Sequence, residues 1–79
     1  MINNLCQKYN LEEGKDFFIQ QKGVLTFLYF NKLSDAETLR NDISRHAILR
    51  NFSLSVISDI IHKQDPFSYY FFVSQERII

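Results

Sequence analysis

Phe52-Ser53-Leu54-Ser55-Val56-Ile57-Ser58-Asp59-Ile60-Ile61-His62-Lys63-Gln64 is the stretch on which the fold turns. Its first residues alternate apolar and polar, the period of a half-buried strand, and the stretch is rich in β-branched side chains. The same residues also fit a helix. At about 100° per residue, Leu54, Val56, Ile57, Ile60 and Ile61 fill one contiguous arc, and Ser55, Ser58, Asp59, His62 and Lys63 fill the opposite one. Ser53 can cap the start. Asp65-Pro66 stops it, because the residue before a proline is pushed out of the α region. The arc favours a helix over 52–64, with a strand as the alternative.

The next segment, Pro66-Phe67-Ser68-Tyr69-Tyr70-Phe71-Phe72-Val73, is a strand running from Phe67 to Gln75. Alternate strand residues point to opposite faces. Phe67, Tyr69, Phe71 and Val73 then share the core face, and Tyr70 and Phe72 sit on the other. A small domain needs one apolar face per strand, so Tyr70 and Phe72 are the candidate partner-binding residues.

Working back toward the N-terminus, Ser34-Asp35-Ala36-Glu37 has the capping-box spacing. Ala36, Leu39, Ile43 and Ala47 follow as a narrow apolar stripe, with Arg45, His46 and Arg50 near the end, an order that complements the helix dipole. Asn51 is the expected stop. Asp16 to Phe30 reads as a β-hairpin turning at Lys22-Gly23. Ile2, Leu5, Cys6 and Tyr9 fall on one helical face, with Asn3 or Asn4 as the cap and Gly14 as the stop.

The expected fold is therefore α+β, one small domain over residues 1–79. Its order is α-β-β-α-α-β, with an antiparallel sheet and helices mainly on one face; the alternative is α-β-β-α-β-β. In the favoured order the last strand joins at an edge of a three-stranded sheet.

A chain of 79 residues buries only about 60% of the surface its unfolded form exposes. The single cysteine, Cys6, rules out an intrachain disulfide, which fits a reducing compartment. The eight Phe and four Tyr supply core area instead, since each ring buries a large surface. Nine basic residues balance nine acidic ones, without the basic excess usual in nucleic-acid binders. No apolar run approaches the roughly 18 residues of a membrane span. The N-terminus lacks the pattern of a signal peptide, and a cytoplasmic location is expected.

Little in the sequence suggests catalysis. Cys6 lies on an apolar stripe and reads as a structural thiol, far in sequence from any base that could activate it. His46 and His62 have no cysteine or histidine at metal-ligand spacing. Glu12, Glu13 and Asp16 read as a solvated turn. No phosphate-cradling loop, nucleophile elbow or zinc signature is present. No enzyme activity, cofactor or metal is expected.

Arg40, Arg45, Arg50 and Lys63 could contact nucleic acid if the helix capped at Ser34 and the stretch 52–64, joined near Asn51-Phe52, formed a helix-turn-helix. Against this, Asp35, Glu37, Asp42 and Asp59 offset them, and the second helix would begin Leu54-Ser55-Val56 with no residue suited to reading bases. Tyr70 and Phe72 could stack unpaired RNA bases, but their own strand offers no Arg or Lys before Arg77.

Tyr9-Asn10-Leu11-Glu12-Glu13-Gly14-Lys15-Asp16-Phe17 resembles the helix-end segment of phage antirepressor domains. The resemblance implies a phage or mobile-element origin and carries over no functional residue. The expected function is a non-enzymatic protein-binding module, an inhibitor of a host system such as an anti-CRISPR protein. It would act through Tyr70 and Phe72 on a protein target, or as a homodimer through the C-terminal strand. The alternative is a small nucleic-acid-binding regulator using the four basic residues.

Overall fold

The computed structural model of the chain describes residues 6–49 and 53–76, and side chains at 6–45 and 57–74. After a helical turn at 6–8 come β1 (Phe17–Lys22), β2 (Leu25–Phe30), α1 (Leu33–Leu49), β3 (Ser53–Ile57), β4 (Ile61–His62) and β5 (Tyr69–Glu76). The class is α+β, and the sheet is antiparallel with strand order β1-β2-β5-β3. The short β4 pairs with β5 beside β3.

β1 and β2 form the expected hairpin, closed by the Lys22–Leu25 pair. The two-residue turn is Gly23-Val24, one residue beyond the expected Lys22-Gly23, and Gly23 has φ +60°. A positive φ at the first turn position suits the twist of the flanking strands and favours glycine there.

The stretch 52–64 is not a helix. It contributes β3 and β4, close to the alternative order, and Phe52 itself lies outside the described residues. The physical reason is β5. One edge of β5 pairs with β2, so the other would leave a row of backbone N–H and C=O groups unpaired in mid-sheet. β3 pairs with that edge from Ser53–Glu76 to Ile57–Val73, and β4 through Ile61–Tyr70 and His62–Tyr69. Between them the Ser58 N–H donates to the Phe72 carbonyl and the Phe72 N–H to Ser58 Oγ, both at 2.9 Å. Ile60 and Ile61, neighbours on the helical arc, part company: Ile60 packs against the core, while Ile61 pairs opposite Tyr70 and is exposed.

β5 is therefore central, not an edge strand as expected. Among the described residues 69–74 both edges of β5 are paired within the chain, which leaves that part of it no free edge for strand-to-strand homodimerisation. Phe67 also departs from expectation. It precedes the strand at φ +54° and packs on Phe18, on the face away from the core.

α1 lies across one face. Ala36, Leu39 and Ile43 are fully buried against Phe17, Leu28, Phe30, Phe71 and Val73, with Cys6 in the same cluster. Phe30 and Phe71 stack at 5.9 Å and 7°. The expected stripe thus holds as far as Ile43; the Ala47 side chain, Arg50 and Asn51 lie outside the described residues. The capping box does not form. The helix begins at Leu33, the Ala36 N–H donates to the Lys32 carbonyl, and Ser34 sits inside the first turn with its carbonyl accepting from Thr38 Oγ1.

Asn10, not Gly14, ends the N-terminal helical turn. It has φ +59°, its N–H donates to the Gln7 carbonyl, and the Leu11 N–H reaches back to the Cys6 carbonyl. These are the paired bonds of a Schellman cap, with asparagine in the left-handed position. Leu11 packs on the core beside it. The expected face at Ile2 and Leu5 and the cap at Asn3 or Asn4 lie outside the described residues.

The N-terminal segment is also tied to α1. The Tyr9 hydroxyl donates to Asp42 Oδ2 at 2.5 Å, and Lys8 Nζ lies 3.6 Å from the same oxygen. The Tyr9 bond holds the Asp42 carboxyl below its ordinary value; burial opposes this, and Lys8 and Arg45 assist it.

Phe71→Ala is expected to cost about 3–5 kcal/mol, against a total stability on the order of 5–15 kcal/mol. Urea unfolding followed by circular dichroism measures it. A carboxyl held low contributes stability above its unfolded pKa and loses it as the pH falls through the folded value. Asp42→Asn should therefore be less stable than wild type at neutral pH, the gap closing below about pH 4; urea midpoints across a pH series test this.

Candidate functional site

The face of the sheet opposite α1 carries the second set of rings. Phe18 from β1, Phe27 and Tyr29 from β2, and Tyr70 and Phe72 from β5 all alternate with core residues in register. Each is half-buried, by its neighbours rather than by a covering element. With Phe67 they account for half the chain's aromatics. Both sequence-derived partner residues, Tyr70 and Phe72, lie at its middle. The sequence could not place Phe18, Phe27 and Tyr29 with them, since that requires knowing that β5 pairs with β2.

The rings form rows across the strands. Phe18 stacks on Tyr29 at 4.3 Å and 7°, and Tyr29 on Tyr70 at 5.1 Å and 27°. Nearly parallel rings this close meet face to face, so the row presents ring edges outward. Phe27 meets Phe72 at 5.4 Å with a tilt of 48°. Ile61 continues the apolar surface past Tyr70.

Two cations sit among the rings. Lys22 Nζ is 5.7 Å from the Phe27 ring centre, and Lys63 Nζ is 5.9 Å from that of Tyr29. Lys63 is held in place by donating to the carbonyls of Gln64 (3.1 Å) and Pro66 (2.7 Å). The loop carrying it borders this end of the face. Within it, the Ser68 hydroxyl donates to Asp65, and Phe67 meets the Phe18 ring at 4.8 Å and 84°.

Asn31 anchors that loop, a role invisible in the sequence because its partners lie far along the chain. Its Oδ1 accepts from the Phe67 N–H at 2.9 Å, and its Nδ2 donates to the Lys15 carbonyl at 2.7 Å.

The basic quartet is not one surface. Arg40 donates through Nε to the Ser58 carbonyl at 2.7 Å and pairs with Asp59 at 3.4 Å, tying α1 to the β3–β4 link. Lys63 is on the other side of the sheet. Arg45 is exposed on α1, and Arg50 lies outside the described residues. β3 and β4 stand where the second helix of a helix-turn-helix was expected.

Cys6 is fully buried, and its thiol is pushed up to about 11 by burial and then by Glu13. A nucleophilic cysteine needs the opposite shift. His62 is exposed, edge-on to Tyr69 at 5.2 Å; the His46 side chain lies outside the described residues. Among the described residues no group of three or more His, Cys, Asp or Glu could hold a metal, and no helix is long and apolar enough to cross a membrane.

No family model, curated protein or solved structure matches this chain.

Asn31→Ala removes both loop anchors. It is expected to cost about 1 kcal/mol in urea unfolding and to speed amide exchange at Phe67 and Ser68.

Proposed function

We propose that this chain is a non-enzymatic binding module that docks a protein target on the Tyr70/Phe72 face of its sheet. One observation carries the reading. α1 covers one face, and no described element lies across the middle of the other, where Tyr70, Phe72, Phe27 and Ile61 adjoin. Four strands of about five residues, at ~4.8 Å spacing and ~3.4 Å rise, make a face on the order of 300–400 Å². Apolar patches of that size on small proteins are often functional.

The biological setting we propose is that of a phage or mobile-element inhibitor of a host system, in the manner of anti-CRISPR proteins. Its support is the small, charge-balanced chain and the Tyr9–Phe17 resemblance. A non-enzymatic role is supported by the depth and raised pKa of the only thiol.

Ring geometry favours a protein over a nucleic acid. Unpaired bases stack on open ring faces, whereas Phe18, Tyr29 and Tyr70 spend theirs on one another.

Affinity capture from the native host with wild type and with Tyr70→Ser/Phe72→Ser tests the proposal. Partners held by the wild type and lost with the double variant are expected, with both chains folded by circular dichroism. A Tyr70→Thr/Phe72→Thr pair, which retains strand propensity, controls for unfolding. The same partners retained by both folded variants would remove the face from the function.

A further inference from the structure

We propose that the Tyr70/Phe72 face takes a short extended acidic segment of its partner, with apolar side chains and carboxylates together on its sheet-facing side, rather than a second copy of this chain or a single-stranded nucleic acid. This rests on the reading of that face as the docking surface.

Charge is the first argument. The chain is neutral overall, but among the described residues the ion pairs lie on one side of the sheet. Among the described residues the ion pairs are Lys8–Asp42 and Arg40–Asp59, both on the side of α1. On the ring side, Lys22 and Lys63 stand beside Phe27 and Tyr29 with no carboxylate partner among the described residues. The two carbonyls that hold Lys63 fix its position without neutralising its charge. Asp65, in the adjoining loop, is engaged by the Ser68 hydroxyl.

Ring orientation is the second. An aromatic ring is negative on its face and positive at its edge. The Phe18–Tyr29–Tyr70 row buries faces and presents edges. Edges and ammonium groups together attract carboxylates and carbonyl oxygens. In that row the faces of Tyr29 and its two neighbours are turned to one another rather than to a stacked base.

Area is the third. A face on the order of 300–400 Å² is less than half of the roughly 800 Å² per partner in a standard stable interface. A second copy docked face to face would fall short of that, and would set two lysine-bearing faces against each other. A short extended segment lying across the strands matches the area and turns every second side chain to the sheet.

Fluorescence anisotropy of the full-length chain tests this with two labelled synthetic peptides in which every second residue is serine and the residues between are leucine and glutamate in one and leucine and lysine in the other, so that one face carries both kinds of side chain. A single-stranded RNA oligonucleotide is the third probe. The glutamate peptide is expected to bind about tenfold more tightly than the lysine peptide, a preference that one or two screened ion pairs can supply and that added salt should reduce. Lys22→Glu should erase most of the preference and Lys22→Arg should keep it, while Tyr70→Ser/Phe72→Ser should weaken binding of the glutamate peptide. Equal binding of the two peptides, preference for lysine, binding of neither, or binding of the RNA alone would overturn the inference. So would self-association of the chain that depends on Tyr70 and Phe72. If capture of the native partner still depends on those rings, the docking face stands and only its acidic occupant falls; if capture is indifferent to them, the docking face falls too.

Discussion

The double pairing of β5 is the constraint on which the rest of the structure depends. It bonds to β2 along one edge and to β3 and β4 along the other, so the last strand in sequence is the middle of the sheet. Its Phe71 and Val73 supply the core under α1, and its Tyr70 and Phe72 supply the opposite face. β2 and β3 join only through β5, so the sheet rests on long-range pairing, whose loop-closure entropy slows folding.

The same arrangement explains why a small domain without disulfides has a second aromatic face. The central strand is packed by a helix on one side, and among the described residues no element covers the other. Cross-strand ring pairs stabilise such a face by roughly 0.2–1 kcal/mol each, so some of this aromatic content is structural. The rows Phe18–Tyr29–Tyr70 and Phe27–Phe72 serve that purpose while leaving an apolar surface in contact with water.

Much of this was legible in the sequence where local signals agree. The hairpin was readable because Gly23 sits between two β-rich runs, and the α1 stripe because Ala36, Leu39 and Ile43 keep a helical period. The α+β class and the position of Tyr70 and Phe72 away from the core followed from the same kind of reading. The stretch 52–64 was not decidable locally, because both periods fit it. A register shift between Leu54 and Val56 also breaks strict alternation in β3, and the deciding term is the unpaired edge of β5, a distant one. Ser34 and Gly14 misled for a related reason: each has the chemistry of a helix boundary, but Lys32 and Asn10 take those positions in the folded chain. Lys22 and Lys63 were in plain view, yet only the sheet order brings them to the rings.

The stacking of Tyr29 on Tyr70 also has an optical consequence. The chain contains no Trp and four Tyr, so its near-ultraviolet absorption and emission are dominated by phenols. Two phenols 5.1 Å apart and 27° from parallel couple their electronic transitions, and the pair lies in the exposed face. Tyr9, bonded to Asp42, and Tyr69, packed against the core, sit on the helix side. The unlabelled chain thus carries a chromophore pair on one side of its sheet and two reference chromophores on the other.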